Sequence, residues 1–339
     1  MEIRMEKCKE LKQKPDQKHL GFGKYMTDYM FVMDWTKDEG WKDARIVPYA
    51  PITLEPACVT LHYAQETFEG MKAYRTAEGK NPVIPPGDEC KENDQLQCKT
   101  LHAGSAGRYV CRSSKSISKS RRGLGTVRAG NFFIYQTIYV CNRSALGVHM
   151  ATAYKFMVIC CPVGAYYAEG INPVKILVED ELVRAVKGGT GFTKCGGNYA
   201  GSILGQVKAE KMGYSQVLWL DGEHRKYVEE VGTMNIMFKI DGEIYTAPIE
   251  GTVLPGVTRD SMIHILRDWG YKVNETRLSI DDLMKAGHDG KLEEVFGTGT
   301  AAVISPVGEL RYKDDVITIN DFKIGELTQK LYDTLTGIQ

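Results

Sequence analysis

Neither sign of charge is in excess in this chain: 43 Lys and Arg face 43 Asp and Glu among 339 residues. Without a net positive field or a long basic run it is poorly suited to polyanionic surfaces, so neither nucleic acid nor membrane is expected as a partner. Apolar runs approaching the ~20 residues that span a bilayer are absent. The opening M-E-I-R-M-E-K-C-K-E-L-K is charged throughout and holds no apolar core like that of a secretory signal. These absences predict a soluble, cytoplasmic protein. The nine cysteines include no C-x-x-C pair, which argues against a disulfide framework or a zinc site, and no metal is expected.

What is present is length for two domains and one glycine-rich stretch, V-R-A-V-K-G-G-T-G-F-T-K-C-G-G-N-Y, at 183–199. Glycines at this density let the backbone take positive φ and approach a ligand with no Cβ in the way. Lys187 and Lys194 lie among them. A lysine amine can form a Schiff base with a carbonyl cofactor once burial or a neighbouring cation frees it from its proton. From these residues alone, a surface loop with two solvated lysines is the competing reading.

Residues 1–22 are polar and read as a loosely ordered lead-in, with structure expected from about Gly23. In 57–75 two β-prone runs flank Glu69-Gly70, which predicts a turn there and a meander of antiparallel strands. Strands are expected at 154–161 and 174–179, joined by a Pro/Gly segment suited to an interdomain link. After Asn198, Tyr199, Ile203, Leu204 and Val207 share one helical face, with Gly213 as the stop. A strand at 215–220 follows, then a hairpin turning on Asp241-Gly242, an amphipathic helix at 257–269 and a short helix capped by Ser279. A strand at 301–307 and a helix at 321–335 complete the chain. Strand pairs mixed with helices indicate α+β, or mixed α/β, architecture rather than a regular βαβ repeat.

Five stretches carry a more specific signal: L-H-Y-A-Q-E-T-F-E-G-M-K-A-Y at 61–74, K-C-G-G-N-Y at 194–199, E-E-V-G-T-M-N at 229–235, L-P-G-V-T-R at 254–259 and F-G-T-G-T-A-A at 296–302. In this order they closely resemble the branched-chain amino acid aminotransferases, pyridoxal-phosphate enzymes of fold type IV, from about residue 23 to 339 with one large gap. The resemblance implies a small α/β domain at 23–163, a linker at 164–173, a larger mixed-sheet cofactor-binding domain at 174–339, and a homodimer.

It further implies that Lys194 bonds pyridoxal 5'-phosphate and, once released, shuttles the substrate proton. Lys187 matches no catalytic position. Tyr199 matches the tyrosine that hydrogen-bonds the cofactor's phenolic oxygen, and Glu230 the carboxylate facing its pyridine nitrogen. A carboxylate there keeps that nitrogen protonated, so the ring can accept electrons. Thr233 and Leu254 also match cofactor contacts. Val257, Thr258 and Thr300 match the phosphate site, and L-P-G-V-T-R opens a helix whose first N–H groups suit an anion. Thr300 and Ala301 match the turn that holds the substrate carboxylate. Tyr63, Phe68 and Tyr166 resemble the lining of an apolar side-chain pocket; on sequence alone they fit core aromatics equally well. The implied substrates are leucine, isoleucine, valine, glutamate and their 2-oxo acids. Other fold type IV enzymes, a D-amino acid aminotransferase or an aminodeoxychorismate lyase, are the nearest alternatives, and a non-catalytic relative is another.

One segment departs from the family. Between 86 and 143 the texture loses helical and strand period and turns Ser/Lys/Arg-rich, which predicts no regular structure. Two arginine motifs of the family, R-P-E-x-N-x-x-R-M and S-L-Y-I-R-P, are missing. Back-translating 86–103 and 131–143 and reading one base later permits both P-E-M-N-V-K-R-M and T-S-L-Y-I-R-P in a single frame. The hypothesis is a pair of compensating frame errors near Pro85 and Arg143. It leaves Glu92 where the phosphate arginine belongs, Ile134 in place of the tyrosine and Gln136 in place of the second arginine. A chain so altered is expected to bind the cofactor poorly.

Overall fold

The computed structural model describes residues 2–73, 132–164 and 171–338. It divides into two units, Met1–Ala168 with Lys194–Gly196, and Glu169–Thr193 with Gly197–Gln339. Tyr166, Glu92 and residues 86–131 lie outside the described residues.

The first unit is built on β1 (Arg4–Met5), β2 (Tyr29–Thr36), β3 (Gly40–Pro48), β4 (Glu66–Ala73), β5 (Phe132–Cys141) and β6 (Ala153–Val163), with the short helix α1 (Val59–Tyr63). They form one sheet in the order β1-β3-β2-β6-β5-β4. All pairings are antiparallel except β1 with β3. Phe31, Met33, Met71, Tyr139 and Phe156 pack on one face, and Met30, Val32, Val140 and Met157 on the other. Strands covered on both faces read as near-continuous apolar runs, as in Y-M-F-V-M of β2.

Three expectations change here. Glu69-Gly70 is not a turn: β4 runs straight through it, with Glu69 opposite Thr137 and Gly70 opposite Gln136. An unbroken partner strand outweighs the local turn preference. That partner, β5, falls in the segment expected to lack structure. Its ten residues F-F-I-Y-Q-T-I-Y-V-C pair with β4 on one side and β6 on the other. They are aromatic and β-branched, the types that fit a pleated surface, and the polar bias of the preceding residues masked them. The polar N-terminus is also tied down, since β1 pairs with β3 and Lys12 N donates to Asp28 Oδ1 at 2.9 Å.

The second unit holds β7 (Val174–Glu179), β8 (Gln216–Leu220), β9 (Val228–Val231), β10 (Met234–Ile240), β11 (Glu243–Thr246), β12 (Val273–Glu275), β13 (Leu292–Gly299), β14 (Val303–Tyr312) and β15 (Asp315–Thr318). Its helices are α2 (Gly196–Lys211), α3 (Val257–Asp268), α4 (Ile280–His288) and α5 (Glu326–Ile338). Because β9 pairs with both β8 and β10, hydrogen bonding closes a circuit through β7, β8, β9, β10, β13 and β14. Inside it Ile176, Leu218, Ile236, Phe238 and Val295 meet Leu283 of α4. Outside, Met237 and Phe296 carry α3 and α5 through Met262, Leu266 and Leu331, and Trp219 packs with Ala209 of α2.

The Asp241-Gly242 turn joins β10 to β11 with φ of 51° and 78°, the positive pair of a type I′ hairpin. Ser279 caps α4 by accepting from Asp282 N at 3.1 Å. The last helix starts at Glu326, after a separate 3-10 turn at Asn320–Phe322. The apolar stripe of α2 does not face the sheet: Ile203 and Leu204 are 61% and 65% exposed. Its glycine side does, because a Cβ on Gly205 would stand 2.6 Å from Trp219 Cη2. Only the smallest residue allows that approach.

Candidate active site

In the first unit, Lys194 and Cys195 lie along the edge of β4. Phe68 N donates to Lys194 O at 3.1 Å, and Thr67 bridges to Cys195. This backbone pairing leaves the Lys194 side chain 19% exposed, its Nζ 5.2 Å from the Phe68 ring centroid and 3.8 Å from Glu69 Oε1. Glu69 is 3% exposed and takes a 2.7 Å hydrogen bond from Gly70 N. Burial pushes its carboxyl up, against the opposing pull of the Lys194 charge and the Gly70 N–H. Tyr63 is half-buried at the rim of the core, and its hydroxyl accepts from Gly147 N at 3.0 Å.

In the second unit a cleft of about 330 Å³ is lined by Arg184, Asn198, Tyr199, Glu230, Thr233 and Leu254, among others. Register explains the grouping. Glu230 pairs with Trp219 and Asn235, so it shares the outer face on which α2 packs, and the first turn of α2 presents Asn198 and Tyr199. Glu230 Oε1 accepts from Leu254 N at 2.7 Å and from Asn235 Nδ2 at 3.4 Å. Its Oε2 lies 3.3 Å from Arg184 Nε, in a pair whose side chains are 8% and 5% exposed. One cation and two N–H donors thus converge on this carboxylate. Arg184 is itself held by Gly191 O at 3.1 Å and by Thr252 O.

Neighbouring Glu229 lines a separate cleft of about 500 Å³ with Lys187, Asp221, Tyr227 and Arg277. Burial raises its carboxyl, although Thr252 Oγ1 donates to it at 2.5 Å and Arg184 lies near. The two glutamates, adjacent in sequence, are separated at a pairing irregularity: Glu230 pairs with Trp219 and Val228 with Leu220, and Glu229 is the residue skipped between them.

Val257 and Thr258 open α3 behind Gly256, which offers no capping side chain, so the first amides of that helix lack an intrahelical acceptor. Thr300 and Ala301 form the turn from β13 to β14. None of these four lines the 330 Å³ cleft. Sequence reasoning did not single out Arg184, Asn235 or Glu69 as site residues. Arg184 stood inside the glycine-rich stretch, but nothing in its spacing linked it to Glu230.

The class of protein follows from this frame and from residues 180–310, which match the family described as Amino-transferase class IV. The chain is 46% identical over 337 residues, 99% of its length and 93% of the relative's, to Branched-chain-amino-acid aminotransferase 2 of Bacillus subtilis (strain 168). It belongs to the branched-chain-amino-acid aminotransferase family. Its fold matches the crystal structure of the Escherichia coli branched-chain amino acid aminotransferase with a TM-score of 0.76 at 22% identity, over 92% of this chain and 94% of that one. The branched-chain amino acid aminotransferase from Thermobaculum terrenum, in its PLP (holo) form, matches with a TM-score of 0.71 at 20% identity, over 92% and 93%.

Proposed function

We propose that this chain transfers amino groups between the branched-chain L-amino acids leucine, isoleucine and valine and 2-oxoglutarate, with pyridoxal 5'-phosphate carried on Lys194. The observation that carries the reading is the buried Glu230 carboxylate, fixed by Arg184, Leu254 N and Asn235 in a cleft beside Tyr199.

The described residues of the second unit fit the cofactor. The Arg184–Glu230 pair supplies a fixed anion for a pyridinium nitrogen, and the uncapped N-terminus of α3 supplies N–H donors suited to a phosphate. Thr298, paired in register with Asn235, has a buried Oγ1 with no partner among the described residues. When bound, pyridoxal phosphate supplies an electron-accepting ring and an aldehyde carbon. Lys194 is the amine that holds that carbon and, once released, the base that moves the substrate Cα proton. Glu230 holds the proton at the ring nitrogen. The Tyr199 hydroxyl orients the ring through its phenolic oxygen, Thr233 and Leu254 border it, and Val257, Thr258 and Thr300 hold the phosphate. The Thr300–Ala301 turn receives the substrate carboxylate, and Tyr63 and Phe68 contribute to the apolar wall.

Protein saturated with pyridoxal phosphate is expected to develop a visible absorbance band and to form glutamate from L-leucine and 2-oxoglutarate, with both lost in Lys194→Ala. Folded, saturated protein that turns over D-alanine or aminodeoxychorismate but not leucine would overturn the substrate assignment. A homodimer is part of the reading, supported by the exposed apolar Ile203 and Leu204 of α2. Sedimentation equilibrium at the monomer mass would refute it. A cytoplasmic location is part of the reading; among the described residues no helix is long and apolar enough to cross a membrane.

A further inference from the structure

Glu69 is buried more deeply than a carboxylate tolerates without compensation. Its Oε1 has the Gly70 N–H at 2.7 Å and Lys194 Nζ at 3.8 Å, while Oε2 has no hydrogen-bond partner among the described residues. The strand fixes this arrangement, because Lys194 is docked against β4 by the hydrogen bond of its own carbonyl to Phe68 N, one residue before Glu69. The Phe68 ring bounds the amine at 5.2 Å and contributes a weak cation–π attraction. At 3.8 Å the contact is an ion pair rather than a hydrogen bond.

We propose that Glu69 is the positioning residue for Lys194, the carboxyl that docks the lysine amine and holds its charge whenever that amine is not bonded to the cofactor. This rests on the assignment of Lys194 as the cofactor lysine. A transaminase lysine alternates between bonded and released states, and on release it needs a fixed place close by. Glu69 provides that place and a counter-charge for the proton the amine carries.

The other titratable groups here are Glu66 and Lys72 on β4, Tyr135 and Tyr139 on β5, Cys160 on β6 and Cys195. Glu66 packs against Gly196, and Lys72 Nζ lies 4.3 Å over the Phe132 ring. Cys160 and both tyrosines sit in the apolar core. Among the described residues, the charge that acts on Glu69 is that of Lys194.

The test is trace acetylation of the cofactor-free full-length chain across a pH series, with acetylation at Lys194 quantified by peptide mass spectrometry. The wild-type amine should become reactive at a pH about one unit or more above that of Glu69→Gln, because the amide no longer stabilises the ammonium; one unit is a tenfold change in the proton equilibrium. Glu69→Asp, which keeps the charge at longer reach, should fall between them. Midpoints that agree within about a third of a unit would overturn the proposal, as a purely structural role predicts. If Glu69→Gln does not fold, Glu69→Asp decides: a midpoint lowered by about half a unit supports it and an unchanged one rejects it. Adding pyridoxal phosphate to the same samples separates this inference from the reading beneath it. A missing visible band in wild type removes the cofactor assignment, whereas a normal band with equal midpoints removes only the role of Glu69.

Discussion

Arg184 and Glu230 stand or fall together. Both are buried, and the arginine lies within salt-bridge distance of Glu230. Removing one member of a buried pair leaves an uncompensated charge, so Arg184→Gln is expected to lower the unfolding free energy of the cofactor-free chain by about 3 kcal/mol. Urea denaturation measures this, and a loss below ~1 kcal/mol would show that Leu254 N and Asn235 suffice. Lys72 gives a prediction in pH. Burial lowers its ammonium to about 7 from an ordinary 10.5, so between those values the unfolded chain binds a proton that the folded chain does not. Stability therefore rises with pH across that interval, and below it the burial penalty is present in full. Lys72→Met should be more stable than wild type near neutrality and should lose that rise. Parallel slopes for the two proteins across the interval would contradict it.

Among the elements, α4 offers a clean test, since its first turn depends on one hydroxyl. Ser279→Ala removes the acceptor for Asp282 N and should cost about 1 kcal/mol, while Ser279→Asp should retain most of it. On α2, Gly205→Val would drive a branched side chain into Trp219 and should lower the thermal midpoint more than Gly201→Val, where a Cβ meets nothing within 4 Å. Equal losses would place Trp219 farther from the helix. Elements with both periodicity and punctuation were legible from sequence: the β10–β11 hairpin through Asp241-Gly242, α3 through its apolar spacing, and α4 through Ser279. In the candidate site, Tyr199, Glu230, Thr233 and Leu254 were legible as ordered motifs and do share one cleft. Long-range pairing was not legible. Nothing local announces that β5 will hold β4 straight through Glu69-Gly70, that α2 will turn its glycine side inward, or that Arg184 will meet a glutamate far along the chain.

At the scale of the whole molecule, two questions remain physical ones. The first concerns residues 86–143. If Glu92 stands where the family's resemblance implies a phosphate arginine, the phosphate would meet a carboxylate in place of a charge-assisted donor. A chain with the alternative frame restored across this segment should bind pyridoxal phosphate at least roughly tenfold more tightly, the equivalent of one such contact. Equal affinities in an absorbance titration would dismiss the idea, and so would a gene with conventional codons in one unbroken frame. The second is colloidal. The chain has no net charge to keep copies apart, so a bare strand edge would be a template for association. In the first unit's sheet, the two residues of β1 lie along β3 at one end, and Glu6 N adds a 2.9 Å bond to Ile46 O. At the other end the Lys194–Cys195 backbone lies along β4. The polar N-terminal residues thus act as a guard against edge-to-edge aggregation. A chain lacking residues 2–9 should scatter light at concentrations where the full chain stays clear.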